Sequence, residues 1–302
     1  MAHEITRSEV GTHAARRTAQ HEVKRALEAL QVRRVSDDAV HRARKHLKRA
    51  RAILRLLRSA MGEAAFTREN TALRDAARPL STARDGKALL DQLEKLVQRY
   101  GASARALPLD PLRRLLQRER KESRRKLLRG PTALRAQRAT LSDVHRRSSH
   151  WRVGRHGWSV LGEGLKRIYG KGRQGLALAR AKRSNERLHE WRKQVKYLWH
   201  QLQLLKPLWP GLIGELADQG HQLADYLGDD HDLAVLREKV LENRELFPQL
   251  SMRSALVALI DRCRTELQDK AIVLGERLYE EKPADFSERF GDYWSDWHHE
   301  RG

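Results

Sequence analysis

With Val40 as position a of a heptad, the a and d positions are Val40, Ala43, Leu47, Ala50, Leu54 and Leu57, all apolar. Spacings that alternate between three and four residues place these side chains on one face, so the stretch predicts a long amphipathic helix with a bundle-type seam. The same frame started at Leu188 gives Leu188, Trp191, Val195, Leu198, Leu202 and Leu205, and Trp158, Leu161, Leu165 and Ile168 repeat it again. Further apolar faces run through Leu80, Leu89, Leu90, Leu93 and Leu96, through Leu223, Leu227, Leu233 and Leu236, and through Leu256, Ile260, Leu267 and Leu274. No segment shows the alternating, β-branched pattern of a strand. Breaks between helices are expected at Gly62, Gly86, Gly101, Pro108, Pro111, Gly130–Pro131, Pro207, Pro210–Gly211 and Gly228. The predicted fold class is all-α, with about eight or more helices.

The chain also matches itself. Displaced by 148 residues, Ser36–Leu57 falls on Ser184–Leu205. The two serines coincide at expected helix N-caps, where a hydroxyl accepts from free backbone N–H groups. The apolar seams coincide, and so do His41 with His189, Arg44 with Arg192, Lys45 with Lys193 and Lys48 with Lys196. Upstream Arg25 meets Arg173. Downstream, after a one-residue gap, Arg84–Asp85 meets His231–Asp232. Two repeats are expected, at about 6–141 and 150–282. They form one domain over 1–282, followed by a tail over 283–302.

The matched polar positions share one helix edge. His41, Arg44, Lys48, Arg51 and Arg55 alternate between b and e positions beside the seam, as do His189, Arg192 and Lys196. In the second copy Trp199 and Gln203 replace Arg51 and Arg55, so that stripe is shorter. A stripe next to a buried seam can line a groove, and a groove focuses the field of several cations.

Charge sharpens this picture. Lys and Arg number 61 against 39 Asp and Glu, a formal net charge of +22. From residue 1 to 214 there are 50 basic and 19 acidic residues; from 215 to 302 there are 11 and 20. Arg42–Arg58 carries eight cations and no acid, Arg113–Arg129 nine against two acids, and Lys166–Lys196 eleven against two. Ordinary solvated helix faces mix both signs, so these runs point to a polyanionic partner. One cysteine, Cys263, excludes an intramolecular disulfide and a cysteine-based zinc site. No apolar block suggests a signal peptide, and the weakly charged stretch 198–214 is cut by Lys206, Pro207 and Pro210. A soluble, cytoplasmic protein without a membrane partner is expected.

VHRARKHLKRARAILRLL (Val40–Leu57) and LHEWRKQVKYLWHQLQLL (Leu188–Leu205) resemble the two signature helices of CHAD domains, the conserved histidine α-helical domains. IYGKGR (Ile168–Arg173) resembles the segment that precedes the second signature helix, and the likeness spans roughly His13 to Glu281. The resemblance implies two pseudo-symmetric four-helix bundles from an internal repeat. It also implies a basic groove or channel between them that binds inorganic polyphosphate, and association with polyphosphate granules. Lys87 and His231 depart from the family pattern around the Arg-Asp pair. The catalytic triphosphatase domain often joined to this family has a Glu-x-Glu-x-Lys strand, which is absent here, so no enzyme activity is expected.

The chemistry of that site follows from the polymer. Polyphosphate is a flexible row of closely spaced anions with no bases to read. It calls for Arg forks and Lys point charges aimed at phosphate oxygens. Arg44, Lys45, Lys48, Arg51 and Arg55 are assigned to one wall, and Arg192, Lys193 and Lys196 to the other, with Arg25 and Arg173, and Lys171 beside them, added from the preceding helices. His41 and His189 complete the set. Among cations each imidazole should be neutral when the site is empty and charged once a polyanion reverses the field; the alternative is a purely structural histidine. The role of the Arg113–Arg129 run is left open.

No cofactor or metal site is expected. The Asp225, Asp229, Asp230 and Asp232 cluster near His231 is read as balancing the basic groove rather than binding a cation. Nucleic acid is the alternative partner, because Trp151, Trp158, Trp191, Trp199 and Trp209 lie in or beside basic segments and stacking on basic grooves holds single strands; Trp158 and Trp191, on seam positions, are expected in the core. A third reading has the tail, with Trp294 and Trp297, docking a protein.

Overall fold

The computed structural model describes residues 11–33, 35–129, 132, 134–154 and 157–299, without the side chains of 82–85. The Arg84–Asp85 side chains, the Gly130–Pro131 break and the outermost ends of the domain and tail therefore lie outside the described residues. The helices are α1 (Gly11–Gln31), α2 (Asp37–Leu56), α3 (Arg58–Met61), α4 (Glu63–Arg105), α5 (Asp110–Leu127), α6 (Arg135–Ser148), α7 (Trp158–Ala181), α8 (Asn185–Leu205), α9 (Pro210–Glu242), α10 (Leu250–Leu278) and α11 (Pro283–His299). Among the described residues there is no strand. No described helix is long and apolar enough to cross a membrane.

The signature helices form where the pattern requires. Ser36 Oγ accepts from Ala39 N at 3.1 Å and Ser184 Oγ from Arg187 N at 3.4 Å, so both expected N-caps are made. Every residue of the two seams is buried. α2 packs on α1, α4, α7 and α8, and α8 packs on α7 and α9. The two signature helices therefore meet at the centre of the molecule. One apolar core runs through this crossing and includes Leu47, Leu54, Trp191 and Leu198. A second core joins the distal parts of α4 and α5 to α9 and α10 through Leu93, Leu112, Leu236 and Ile260.

Two expected breaks are not breaks. Gly86 lies inside α4 and Gly228 inside α9. Each is small because a neighbour presses on it: a Cβ on Gly86 would stand 2.8 Å from Arg120 Cβ, and one on Gly228 would stand 3.2 Å from the Arg192 guanidinium. Close approach, rather than chain reversal, explains these glycines. The tail forms α11, which packs on α7 with Phe286, Phe290, Trp294 and Trp297 buried in the main core. Its tryptophans thus point into the fold.

Candidate polyanion-binding site

The α2–α8 crossing holds a cavity of about 390 Å³. α2 contributes Arg51 and Arg55, α3 Arg58, α4 Asn70 and Arg74, α7 Arg167 and Lys171, and α8 Lys193 and Tyr197. Among the described residues no carboxylate lines it. Asn70 organises the α2 arginines: its Oδ1 accepts from Arg51 Nε and from Arg55 Nη1, both at 3.1 Å. Arg55 also donates to the Arg51 carbonyl at 2.7 Å and lies 3.8 Å from the Tyr197 ring centroid, a cation–π contact. Burial pulls the Arg55 pKa down to about 10, so it is still a cation at neutral pH. Burial likewise holds the Arg167 guanidinium below the usual arginine range. Its buried Nη2 has no hydrogen-bond partner among the described residues. The outer cations are tied to acids: Arg58 to Glu63 at 2.8 Å, Arg74 to Asp75 at 3.0 Å, and Lys193 to Glu190.

A glycine makes the cavity possible. Gly164 of α7 lies so close to α2 that a Cβ would stand 2.5 Å from Leu56 Cα. That approach holds α7 against α2 beside the cavity that Arg167 and Lys171 line with Arg51 and Arg55.

One helical turn along each signature helix lies a second cationic cluster. Lys48 precedes Arg51 by three residues and Lys196 follows Lys193 by three, the spacing of neighbours on one face. Burial, reinforced by Arg192 and Lys48, holds the Lys196 ammonium well below the ordinary lysine range; Asp225 and Asp232 oppose this. Arg192 packs on Gly228 of α9. Arg44 donates to the Ser81 carbonyl of α4 at 3.2 Å. His189 stands ring to ring with His231 of α9, with centroids 4.8 Å apart. Burial lowers both pKa values, followed by His231 and Arg192 at His189 and by Arg192 at His231. Both imidazoles are therefore neutral near pH 7, and His189 Nδ1 is buried without a hydrogen bond to a described residue.

The other predicted residues are spread more widely. His41 is exposed and lines a separate cavity of about 240 Å³ with Lys87, Arg120 and Arg124. Lys45 is exposed on α2. Arg25, exposed on α1, pairs with Glu28 at 3.5 Å. Arg173, exposed on α7, lines a groove with Arg180 and Val273 that faces α10. The crossing thus gathers Arg51, Arg55 and Lys193 in the cavity and Lys48, Arg192, Lys196 and His189 beside it. It does not gather Arg25, Arg173 or His41.

Sequence reasoning missed Arg58, Asn70, Arg74, Arg167, Tyr197 and His231 as site residues. For His231 a signal existed, since it aligns with the Arg84–Asp85 pair. The acidic cluster serves the packing. Asp230 accepts from Arg264 at 3.0 Å and Gln268 at 2.8 Å, Asp229 pairs with Lys95 at 2.8 Å, and Asp225 pairs with His221 at 2.9 Å. Trp191 and Trp151 are buried, and Trp158 stacks on Phe290. Trp209 is 51% exposed and meets Tyr293 edge-on.

A family model for the CHAD domain matches residues 12–241. Among solved structures, PptA from Streptomyces chartreusis superposes with a TM-score of 0.66 at 14% identity, covering 90% of this chain and 100% of that one. The CHAD domain from the plant Ricinus communis superposes with a TM-score of 0.54 at 14% identity, covering 97% and 93%. At these identities the likeness is one of fold. No curated protein matches the chain.

Proposed function

The chain belongs to the CHAD domain family, and from that premise we propose that it binds inorganic polyphosphate, without transforming it, at the crossing of α2 and α8. The observation that carries this reading is the cavity there. Two long helices far apart in sequence turn Arg51, Arg55 and Lys193 into one hollow, with Arg167 and Lys171 beside them and, among the described residues, no carboxylate on its wall. Such crowding of like charge costs stability in the empty protein and is offset when a polyanion enters. Arg forks held by Asn70 and Tyr197 present fixed donors to phosphate oxygens. The tryptophans support polyphosphate over a single-stranded nucleic acid. Stacking platforms need open ring faces, whereas Trp191 and Trp151 are buried, Trp158 packs against the core and Trp199 is half-buried against His200 and His221, which leaves Trp209 alone of the five exposed, outside the cavity.

A duplicated unit, one domain over 1–282, is part of this reading. α1 packs on α2 and α6, and α2 on α4, as α7 packs on α8 and α11, and α8 on α9; the packing of α4 on α6 has no comparable counterpart between α9 and α11. So is a role in gathering at cytoplasmic polyphosphate granules, because a polymer shared by many copies concentrates them. The test is competition. Bound long-chain polyphosphate should resist displacement by single-stranded RNA at equal phosphate concentration. Ready displacement by the RNA would transfer the site to nucleic acid.

A further inference from the structure

α5 carries the densest basic run that the crossing does not use, and its cations divide into two groups. One group is committed to neighbours: Arg113 to Glu94 at 2.8 Å, Arg120 and Arg124 to Asp37 at 2.7 and 2.8 Å, and Lys126 to Glu122 at 3.1 Å. The other group is Arg114, Arg118, Lys121 and Arg125. All four are exposed, and none makes a salt bridge or side-chain hydrogen bond to a described residue. Their spacing of four, three and four residues sets them in one row on the solvent face, opposite the buried Leu112, Leu115 and Leu116. The row spans about 16 Å at 1.5 Å per residue. A row of like charges at i, i+4 spacing repels itself and weakens the helix. The acids on α5 relieve it only in part: Asp110 is bound to Arg113 at 2.9 Å, Glu119 to Lys239 at 2.8 Å and Glu122 to Lys126, with Glu122 also attracted to Arg125 and Arg118.

A different side of α5, not the row itself, reaches the start of the signature helix. Arg120 and Arg124, on the neighbouring side of α5, already hold a carboxylate, Asp37, at the start of α2. Together with Lys87 and His41 they line the cavity of about 240 Å³ there, whose wall also carries the carboxylates of Asp37 and Asp38, so three cations and one imidazole face two acids. An anionic chain following the cationic edge of α2 from Arg51 through Lys48 and Arg44 arrives at His41, and from there at α5.

We infer that the outer face of α5 is a second contact track for the same polymer, taking segments of long-chain polyphosphate that extend beyond the crossing. This rests on the reading of the crossing as a polyphosphate site. A short oligomer held in the crossing does not need the track; a long chain does.

The probes are inorganic tripolyphosphate, long-chain polyphosphate and single-stranded RNA, titrated against the full chain. The variant combines Arg114→Gln, Arg118→Gln, Lys121→Gln and Arg125→Gln, exposed positions at which glutamine keeps good helix propensity. Its tripolyphosphate affinity should equal that of the unsubstituted protein. Four lost contacts at about 0.7 each should lower the salt slope for the long chain by about 3, so that between 50 and 200 mM salt the unsubstituted protein loses about fifty-fold more affinity than the variant. An unchanged long-chain affinity and slope, with tripolyphosphate still bound, would overturn the inference and leave the crossing intact. Loss of RNA binding without loss of long-chain binding would also overturn it and make the row a nucleic-acid contact. Failure of the crossing is seen separately: Arg51→Gln with Arg55→Gln would then leave tripolyphosphate affinity unaltered.

Discussion

Replacing Lys196 with methionine should make the protein more stable and a poorer anion binder. The two effects share one cause. In the empty site the Lys196 ammonium is buried and faces Arg192 and Lys48, and Asp225 and Asp232 only partly offset them. Methionine keeps the length of the side chain and removes the charge. Replacing a whole buried ion pair by apolar groups of similar volume is neutral or stabilising by about 1–4 kcal/mol. Lys196, whose nearest strong influences are burial and two cations rather than a paired acid, should gain at the low end of that range, about 1 kcal/mol, and at this chain length each kcal/mol raises Tm by about 2 °C. The bound state moves the other way. One charge-assisted hydrogen bond to phosphate contributes about 1.5–3 kcal/mol, so polyphosphate affinity should fall about ten- to a hundred-fold.

The pH dependence adds a sign that can be checked. The folded-state pKa of Lys196 lies below its unfolded value, so the native state binds fewer protons in the window between them. Wild-type stability contributed by this group therefore rises with pH across that window, up to the ordinary lysine value, and the variant lacks that gain. The gap in Tm between Lys196→Met and wild type should narrow in alkaline buffer. Calorimetry with and without polyphosphate reads both effects. A variant that unfolds earlier than wild type and binds as tightly would refute the reasoning, because Lys196 would then be a structural residue.

Three further outcomes follow. Gly164→Ala forces a Cβ against the Leu56 backbone, and overpacking of this kind costs about 1–3 kcal/mol; chemical denaturation should show the loss, and tripolyphosphate affinity should drop with it as α7 moves away from α2. Buried His200, with a pKa pushed down to about 3 by burial, refuses a proton that the unfolded chain accepts as pH falls below 6.5; wild type should lose about 2 kcal/mol more than His200→Gln between pH 7 and 5, measured by urea unfolding at each pH. His189 and His231 are held neutral in the empty site and should gain protons when a polyanion arrives; titration calorimetry in buffers of different ionisation enthalpy should register net uptake near pH 7 that disappears in His189→Gln/His231→Gln.

The fold was legible because burial repeats with a period. The seam from Val40 to Leu57 and its counterpart from Leu188 to Leu205 are buried throughout, and both serine caps form. Glycine was read less well. Gly86 and Gly228 resemble breaks in one dimension, but each is a place where another helix leans in, which no local pattern announces. The site was legible along a single helix and obscure across helices. Arg51, Arg55, Lys48 and Lys196 follow from the stripe beside the seam. Arg167, Asn70 and Tyr197 do not, because their role depends on how α7 and α4 approach α2. Arg25 and Arg173 matched each other in the repeat, yet both stand exposed outside the crossing. A match between two stretches of sequence does not say which surface faces the cavity; only packing decides that.

The most direct test of the account is a crystal of the full chain soaked with tripolyphosphate. Phosphoryl groups should appear between Arg51, Arg55, Arg167 and Lys193. Density confined to the outer surfaces, with the cavity at the α2–α8 crossing holding only solvent, would contradict it.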